Sequence, residues 1–172
     1  METGFSDLNL VPDDRRLEIV REFDAPRDLV WRAFSDPYHL SRWWGPKGFT
    51  NPVCELDFRV GGRWYHVMRG PDGRDYPADS EFLEIVQPER IVYRNRRLEA
   101  AAFAGNPPPS FLRVLSFVDL GGRTRLTLEA YFDTSAEREA VIRRGFREGT
   151  LESWQKLADQ LAGLLGQQGM AP

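Results

Sequence analysis

The sequence of 172 residues has very little cysteine and histidine. Its single cysteine, Cys54, excludes an internal disulfide framework and favours a reducing compartment, which we predict to be the cytoplasm. The two histidines, His39 and His66, lack the spacing of metal ligands, and Cys54 has no CxxC partner. The glycine pairs are typical of hairpin turns rather than of phosphate-binding loops. The sequence therefore predicts neither a metal site nor a cofactor.

Long apolar runs and blocks of one charge are also missing. No apolar run approaches the ~20 residues that a membrane-spanning helix needs, and the first residues lack the basic and apolar regions of a signal peptide. The 23 basic and 26 acidic side chains are scattered and leave a net charge of −3. Because no basic face results, we expect no nucleic-acid partner. Because no long apolar run is present, we expect no membrane insertion.

The composition, 41% hydrophobic and 28% charged, is ordinary for one globular domain with a sizeable core. We predict a flexible N-terminal arm over residues 1–14, one domain over residues 15–166 and a flexible tail over residues 167–172. A low-complexity, proline-rich loop is expected between Ala100 and Pro109.

Seven segments alternate apolar and polar residues with the period of two that indicates β-strands. They are Leu17–Phe23, about Val53–Arg59, Arg63–Arg69, Asp75–Val86, Arg90–Arg97, Ser110–Leu120 and Arg123–Phe132. Tight glycine turns between successive strands predict an antiparallel meander, in which the first strand pairs with the last. Two short helices are expected after the first strand, one following Pro26 and one capped by Asp36.

A long amphipathic helix is predicted from Thr134 to Leu165. Thr134 and Glu137 form a capping-box signature at its start, and Gly166 suits the left-handed position after its end. One stripe of this helix carries Ile142, Phe146, Leu157, Leu161 and Leu164, with Trp154 at its edge. The middle of the stripe has only small residues, namely Gly149, Thr150 and Ser153. This pattern leaves room for a pocket under the helix, although a bulky side chain from the sheet could fill the same space.

Several motifs, in this order along the chain, resemble one known superfamily. They are REFDAP (Arg21–Pro26), VWRAFSDP (Val30–Pro37), RWWGP (Arg42–Pro46), the run from Asp57 through Arg59 and Gly61–Gly62 to Trp64, MRGPDG (Met68–Gly73), LEIVQPERIVY (Leu83–Tyr93) and RTRLTL (Arg123–Leu128). The sequence resembles the START-like helix-grip superfamily, SRPBCC, and within it the branch named after the activator of a heat-shock chaperone ATPase.

This resemblance implies an α+β fold in which a seven-stranded, curved antiparallel sheet grips a long C-terminal helix. It also implies a hydrophobic cavity between the sheet and the helix. Because one fold can serve many activities, the resemblance does not by itself assign a function.

His66 and Glu81 are the polar residues of most interest. His66 shares a strand face with Trp64 and Met68, so it could orient a ligand at the cavity wall, or it could be satisfied by a neighbouring carbonyl or tyrosine. Glu81 shares its parity with Leu83. It could face inward and pair with His66 across neighbouring strands, or lie at an exposed strand end or bulge.

The leading hypothesis is a non-enzymatic protein that binds a small hydrophobic or amphipathic molecule in the cavity, and no catalytic residue is assigned. The alternatives are a cyclase- or aromatase-like enzyme acting in that cavity and a co-chaperone that stimulates a chaperone ATPase in a stress response. Exposed strand edges and tryptophans are compatible with a homodimer. The predicted ligand-binding residues are Trp64, His66, Met68, Glu81, Leu83, Tyr93, Phe117, Leu128, Phe146, Thr150 and Trp154.

Overall fold

The computed structural model describes residues 5–98 and 107–169. Two 3₁₀ turns, Phe5–Leu10 and Asp13–Arg15, precede the regular elements. These elements are β1 (Arg16–Phe23), α1 (Arg27–Ser35), α2 (Pro37–Trp43), β2 (Thr50–Leu56), β3 (Arg63–Arg69), β4 (Asp75–Val86), β5 (Arg90–Asn95), β6 (Leu112–Asp119), β7 (Thr124–Tyr131), α3 (Ser135–Arg143) and α4 (Phe146–Gly169). Most of the predicted proline-rich loop and the extreme ends of the chain lie outside the described residues.

The seven strands form one antiparallel sheet in the order β1-β7-β6-β5-β4-β3-β2. The predicted pairing of the first strand with the last is confirmed, from Arg16 opposite Tyr131 to Phe23 opposite Thr124. Between β6 and β7, Gly121 and Gly122 both have positive φ angles, 80° and 92°, which a two-residue hairpin turn needs. The α+β fold with a helix-covered sheet is therefore as the sequence predicts.

The two short helices pack at one end of the sheet. The Asp36 carboxylate accepts a hydrogen bond from the Tyr38 N–H at 2.9 Å and so caps α2. In the same helix pair, the Trp43 indole donates to the Ala33 carbonyl at 2.9 Å, and Trp43 is fully buried. These contacts fix the direction in which the chain leaves α2 and passes over the sheet.

The prediction of one continuous C-terminal helix is wrong. The Thr134 hydroxyl does accept from the Glu137 N–H at 3.1 Å, but α3 ends at Arg143. Gly145 has a φ of +85°, which interrupts the helix before α4 begins. The predicted helix end at Gly166 is also wrong, because α4 continues through Gly169. A Cβ atom added at Gly166 would contact no other atom.

The main core lies between the inner face of the sheet and helices α1, α2 and α4. It includes Ile19, Phe23, Val30, Trp31, Phe34, Leu40, Trp43, Leu115, Phe117, Leu126, Leu157 and Leu161. A smaller cluster lies on the outer face, where Leu8 and Val11 pack against Val92, Val114 and Tyr131. Leu8 and Val11 thereby cover apolar positions of the outer face. The flexible arm over residues 1–14 stays a prediction.

None of the helices within residues 5–98 and 107–169 is long and apolar enough to cross a bilayer.

Candidate functional site

A partly open cavity of about 460 Å³ lies between the inner face of the sheet and the first turns of α4. The helix contributes Gly149, Thr150 and Ser153 to its wall, with Phe146 before them and Trp154 after them. Because the three central residues are small, their side chains leave space between α4 and the sheet at this point. A small organic molecule fits a space of this size, since ligand sites commonly enclose 300–1,000 Å³.

Aromatic rings make up much of the cavity wall. Trp44 meets Trp64 edge-to-face with ring centroids 4.5 Å apart, and Trp64 meets Tyr93 at 5.6 Å. Trp64 and Trp154 are only 4% and 2% exposed. Interlocked rings of this kind are held in place by their neighbours, so the apolar wall is shaped before any ligand arrives.

The segment between α2 and β2 covers one side of the cavity and is tied to α4. It contributes Trp44, Gly45, Pro46 and Phe49 to the wall. The Ser153 hydroxyl accepts from the Gly45 N–H at 3.0 Å, which places a small polar residue of α4 under this segment. The helix therefore positions both the cavity wall and its cover.

His66 lies on β3 at the cavity wall and is 4% exposed. Its Nε2 accepts a hydrogen bond from the Trp44 indole N–H at 3.1 Å, and its buried Nδ1 has no partner among the described residues. Burial, and then the positive charge of Arg113, lower the pKa of His66 from 6.5 to about 3. The imidazole is therefore neutral near pH 7. Because Nε2 accepts, the proton is on Nδ1.

Arg113 on β6 brings a guanidinium to the same cavity. Its Nη1 donates to the Asn95 side-chain oxygen at 2.8 Å, and Asn95 is in turn held by the Phe111 N–H at 3.0 Å. Arg113 lies directly opposite Tyr93 in the register of β5 and β6. Sequence reasoning missed Arg113, although its parity with Leu115 and Phe117 places a charged residue on an inward-facing position.

Most of the predicted ligand-binding residues line the cavity. These are Trp64, His66, Met68, Tyr93, Leu128, Phe146, Thr150 and Trp154. Their roles in binding remain predictions.

The other three lie elsewhere. Glu81 and Leu83 are on the outer face, because the inward position between them belongs to buried Phe82. Glu81 is far from His66 in register, since Glu81 lies opposite Arg63 while His66 lies opposite Ala78, so the suggested His66–Glu81 pair is wrong.

A register shift between Phe82 and Glu84 explains the error over Glu81. Glu81, Leu83 and Ile85 have equal parity in the sequence. Because of the shift, Ile85 packs against the main core while Glu81 and Leu83 face outward. Phe117 does point inward, but it packs against Trp31 and Phe34 at centroid distances of 5.1 and 5.3 Å, one layer behind the cavity wall.

Within the part of the chain that the structure describes, no group of three or more His, Cys, Asp or Glu side chains could hold a metal ion. Burial raises the pKa of the Cys54 thiol, and the Trp64 indole beside it offsets only part of this shift. A raised thiol pKa disfavours the reactive thiolate. The cavity thus offers an apolar wall with a few neutral and cationic polar groups.

Comparison with known proteins finds one matching family and several similar solved structures. The family model described as activator of Hsp90 ATPase homolog 1-like protein matches residues 24–166. A crystal structure from Nitrosomonas europaea is 27% identical with a TM-score of 0.80, over 91% of this chain and 99% of that chain. One from Mycobacterium smegmatis is 27% identical with a TM-score of 0.77, over 88% and 94%. The AHSA1 protein from Silicibacter pomeroyi is 25% identical with a TM-score of 0.70, over 86% and 97%. No curated protein matches the sequence.

Proposed function

The chain belongs to the activator of Hsp90 ATPase homolog 1-like family, and on that premise we propose that it binds a small hydrophobic or amphipathic molecule in its cavity. The observation that carries this proposal is the space of about 460 Å³ beneath the small residues of α4. Close packing is the rule inside proteins, and a partly open space of this size with a mainly apolar wall is typical of a ligand site. Binding is the use that accounts for keeping it.

The apolar wall supplies the affinity in this proposal. A guest that buries roughly 200 Å² of apolar surface against Trp64, Leu128 and Trp154 would gain about 5 kcal/mol. Association costs several kcal/mol of this gain, so the polar groups of the wall must add specific contacts. We assign this orienting role to His66 and Tyr93, whose donors lie among the aromatic rings.

Binding is favoured over catalysis because of the protonation states in the cavity. A general base works best when its pKa is near the operating pH, whereas the pKa of His66 is lowered to about 3 and burial raises the pKa of Tyr93. Both groups are neutral hydrogen-bonding partners near pH 7. For a cyclase-like enzyme, His66→Ala should abolish turnover in a folded protein, and such a loss would overturn this preference.

A ligand screen by thermal unfolding tests the proposal. Apolar and amphipathic compounds should raise the melting temperature, since a ligand at 100 times its Kd adds about 2.7 kcal/mol to the free energy of unfolding. Ala78→Phe should abolish these shifts, because Ala78 lines the cavity opposite His66 and a phenyl ring there fills it. Val86→Phe is the control, on the same strand at a position that is 42% exposed.

Equal ligand shifts in both variants would place binding outside the cavity and refute the proposal. If no compound shifts the wild-type protein, and a purified Hsp90-type chaperone hydrolyses ATP faster when the protein is added, the co-chaperone function of the family's description would replace it. A flat dose series with the chaperone removes that alternative.

A further inference from the structure

Among the described residues, the charged groups that line the cavity all have one sign. Arg113 and Arg144 belong to the lining, and no aspartate or glutamate does among the described residues. Arg144 donates to the Pro107 carbonyl at 3.3 Å, near the edge of the cavity. Arg113 lies deeper, on the inner face of the sheet. Its guanidinium is close to the aromatic rings of Tyr93, Phe111 and Phe146.

The surroundings of Arg113 position the guanidinium without neutralising it. Its carbon Cζ is 3.8 Å from the ring centroid of Phe111 and 5.4 Å from that of Tyr93. Its Nη1 is held by the Asn95 side-chain oxygen, while its Nε and Nη2 donate to no protein acceptor within residues 5–98 and 107–169. No carboxylate in that part of the chain forms an ion pair with it. The aromatic faces therefore hold the plane of the group and leave donors on its edge.

A cation in this position is unfavourable on its own. Burial, and then the like charge of Arg94, lower the pKa of Arg113, while the Tyr93 phenol opposes this shift. The guanidinium remains charged near pH 7, because the pKa of a guanidinium is ordinarily far above that pH. Arg113 is half-buried, and charges that are withdrawn from water are normally paired with an opposite charge. An anion from outside the protein would supply the missing partner.

Tyr93 adds a second donor beside this charge. It lies opposite Arg113 in the register of β5 and β6, and its side chain is 4% exposed. Its hydroxyl forms no hydrogen bond with a described residue, and the oxygen is not one of the fully buried atoms that lack a partner, so it is available to a molecule in the cavity. A planar anion could accept from both side chains at once.

Building on the proposed binding function, we propose that the ligand is an apolar carboxylic acid whose carboxylate pairs with Arg113 and Tyr93. The hydrocarbon or aromatic part of the acid then lies along Trp64 and Trp154. Aspartate and glutamate are absent from the described wall, so nothing there repels the anion. The site thereby selects an acid over a neutral molecule of the same shape.

Matched pairs of compounds test this selection. Decanoate is compared with decanol, and naphthaleneacetate with naphthaleneethanol, by isothermal titration near neutral pH. Wild-type protein should bind each acid about tenfold or more tightly than its alcohol, since hydrogen bonds to charged groups are the stronger kind. Arg113→Gln should remove this preference by weakening the acids alone, and Arg113→Lys should retain part of it. Arg125→Gln, a change of the same type at an exposed residue of β7, is the control.

The outcomes separate this inference from the function on which it rests. If acids and alcohols bind wild-type protein equally, the guanidinium is neutralised in another way and the inference is overturned while ligand binding stands. If neither class binds, the proposed function fails. If Arg113→Gln does not fold, the comparison of acid with alcohol on the wild-type protein still decides.

Discussion

His66 and Arg113 share one cavity, but burial has different consequences for their charges. Burial makes the charged form of each less favourable. For His66 this shift lowers the pKa from 6.5 to about 3. The ring is therefore neutral throughout the physiological pH range. Arg113 starts from so high a pKa that it stays protonated. Of these two residues, Arg113 is a permanent cation and His66 is a neutral imidazole, so only His66 makes stability depend on pH between about pH 3 and pH 6.5.

The lowered pKa of His66 predicts acid sensitivity. The unfolded chain binds a proton at this residue below about pH 6.5, whereas the folded protein binds it only near pH 3. Between these values the unfolded state holds more protons, so the free energy of unfolding falls as pH falls, by on the order of 1 kcal/mol per pH unit. Above that window the contribution of His66 is fully present.

Urea denaturation from about pH 7 to about pH 4 measures this effect. The free energy of unfolding should fall less steeply in His66→Gln than in wild type. A nuclear magnetic resonance titration provides a second check, in which the His66 ring should not titrate above about pH 5. Parallel stability curves for both proteins, or a ring midpoint near pH 6.5, would contradict the prediction.

At the scale of elements, the break between α3 and α4 shapes one end of the cavity. The Gly145 N–H is 3.0 Å from the Ile142 carbonyl and closes α3, and the Gly145 carbonyl accepts from the Gly149 N–H at 2.8 Å and opens α4. Val141, Arg144 and Gly145 thereby line the cavity together. An unbroken helix would direct these residues differently.

Two glycine substitutions separate the effects of conformation and space. Gly145→Ala should lower the free energy of unfolding by about 1 kcal/mol, because its φ of +85° disfavours a side chain. The nearest atom to the added carbon is 3.8 Å away, so crowding does not contribute. Gly163→Ala, inside α4 with nothing near it, should raise stability by about 0.5–1 kcal/mol. Thermal unfolding of both variants measures the difference, and effects of the same sign would contradict this account.

At the scale of the whole molecule, Lys156 joins parts of the chain that are more than 100 residues apart. Its ammonium group lies 3.2–3.4 Å from the carbonyl oxygens of Trp44, Gly45, Pro46 and Phe49. Burial lowers the pKa of Lys156, and the charge of Glu152 offsets part of this shift. The same covering segment therefore depends on α4 for its position, and α4 depends on the sheet.

Lys156→Met is expected to loosen this cover. Carbonyl groups of the segment would lose their donor, so the free energy of unfolding should fall by about 1–3 kcal/mol. Hydrogen exchange at the Gly45 and Phe49 amides should become faster. Lys47→Met is the matched control, because Lys47 is in the same segment and is exposed. Exchange rates equal to those of wild type in both variants would show that the ammonium group does not hold the segment.

The sequence by itself determined the element order and the inward positions of β3. Strand alternation, the Asp36 cap and the glycine turns are local features, and local backbone and side-chain preferences suffice to produce them. The small residues Gly149, Thr150 and Ser153 likewise predicted which part of α4 lines the cavity. The motif resemblance predicted the same sheet and helix.

Only the tertiary structure decided the break at Gly145, the outward face of Glu81 and the cation at the cavity. Gly145 also tolerates a helical conformation, so local sequence does not require the break. The bulge after Phe82 reverses a parity that regular alternation would have kept. The position of the Arg113 guanidinium depends on Asn95 and Tyr93, which lie on another strand. Such contacts depend on which distant segments the sheet brings together, and no short window of sequence contains that information.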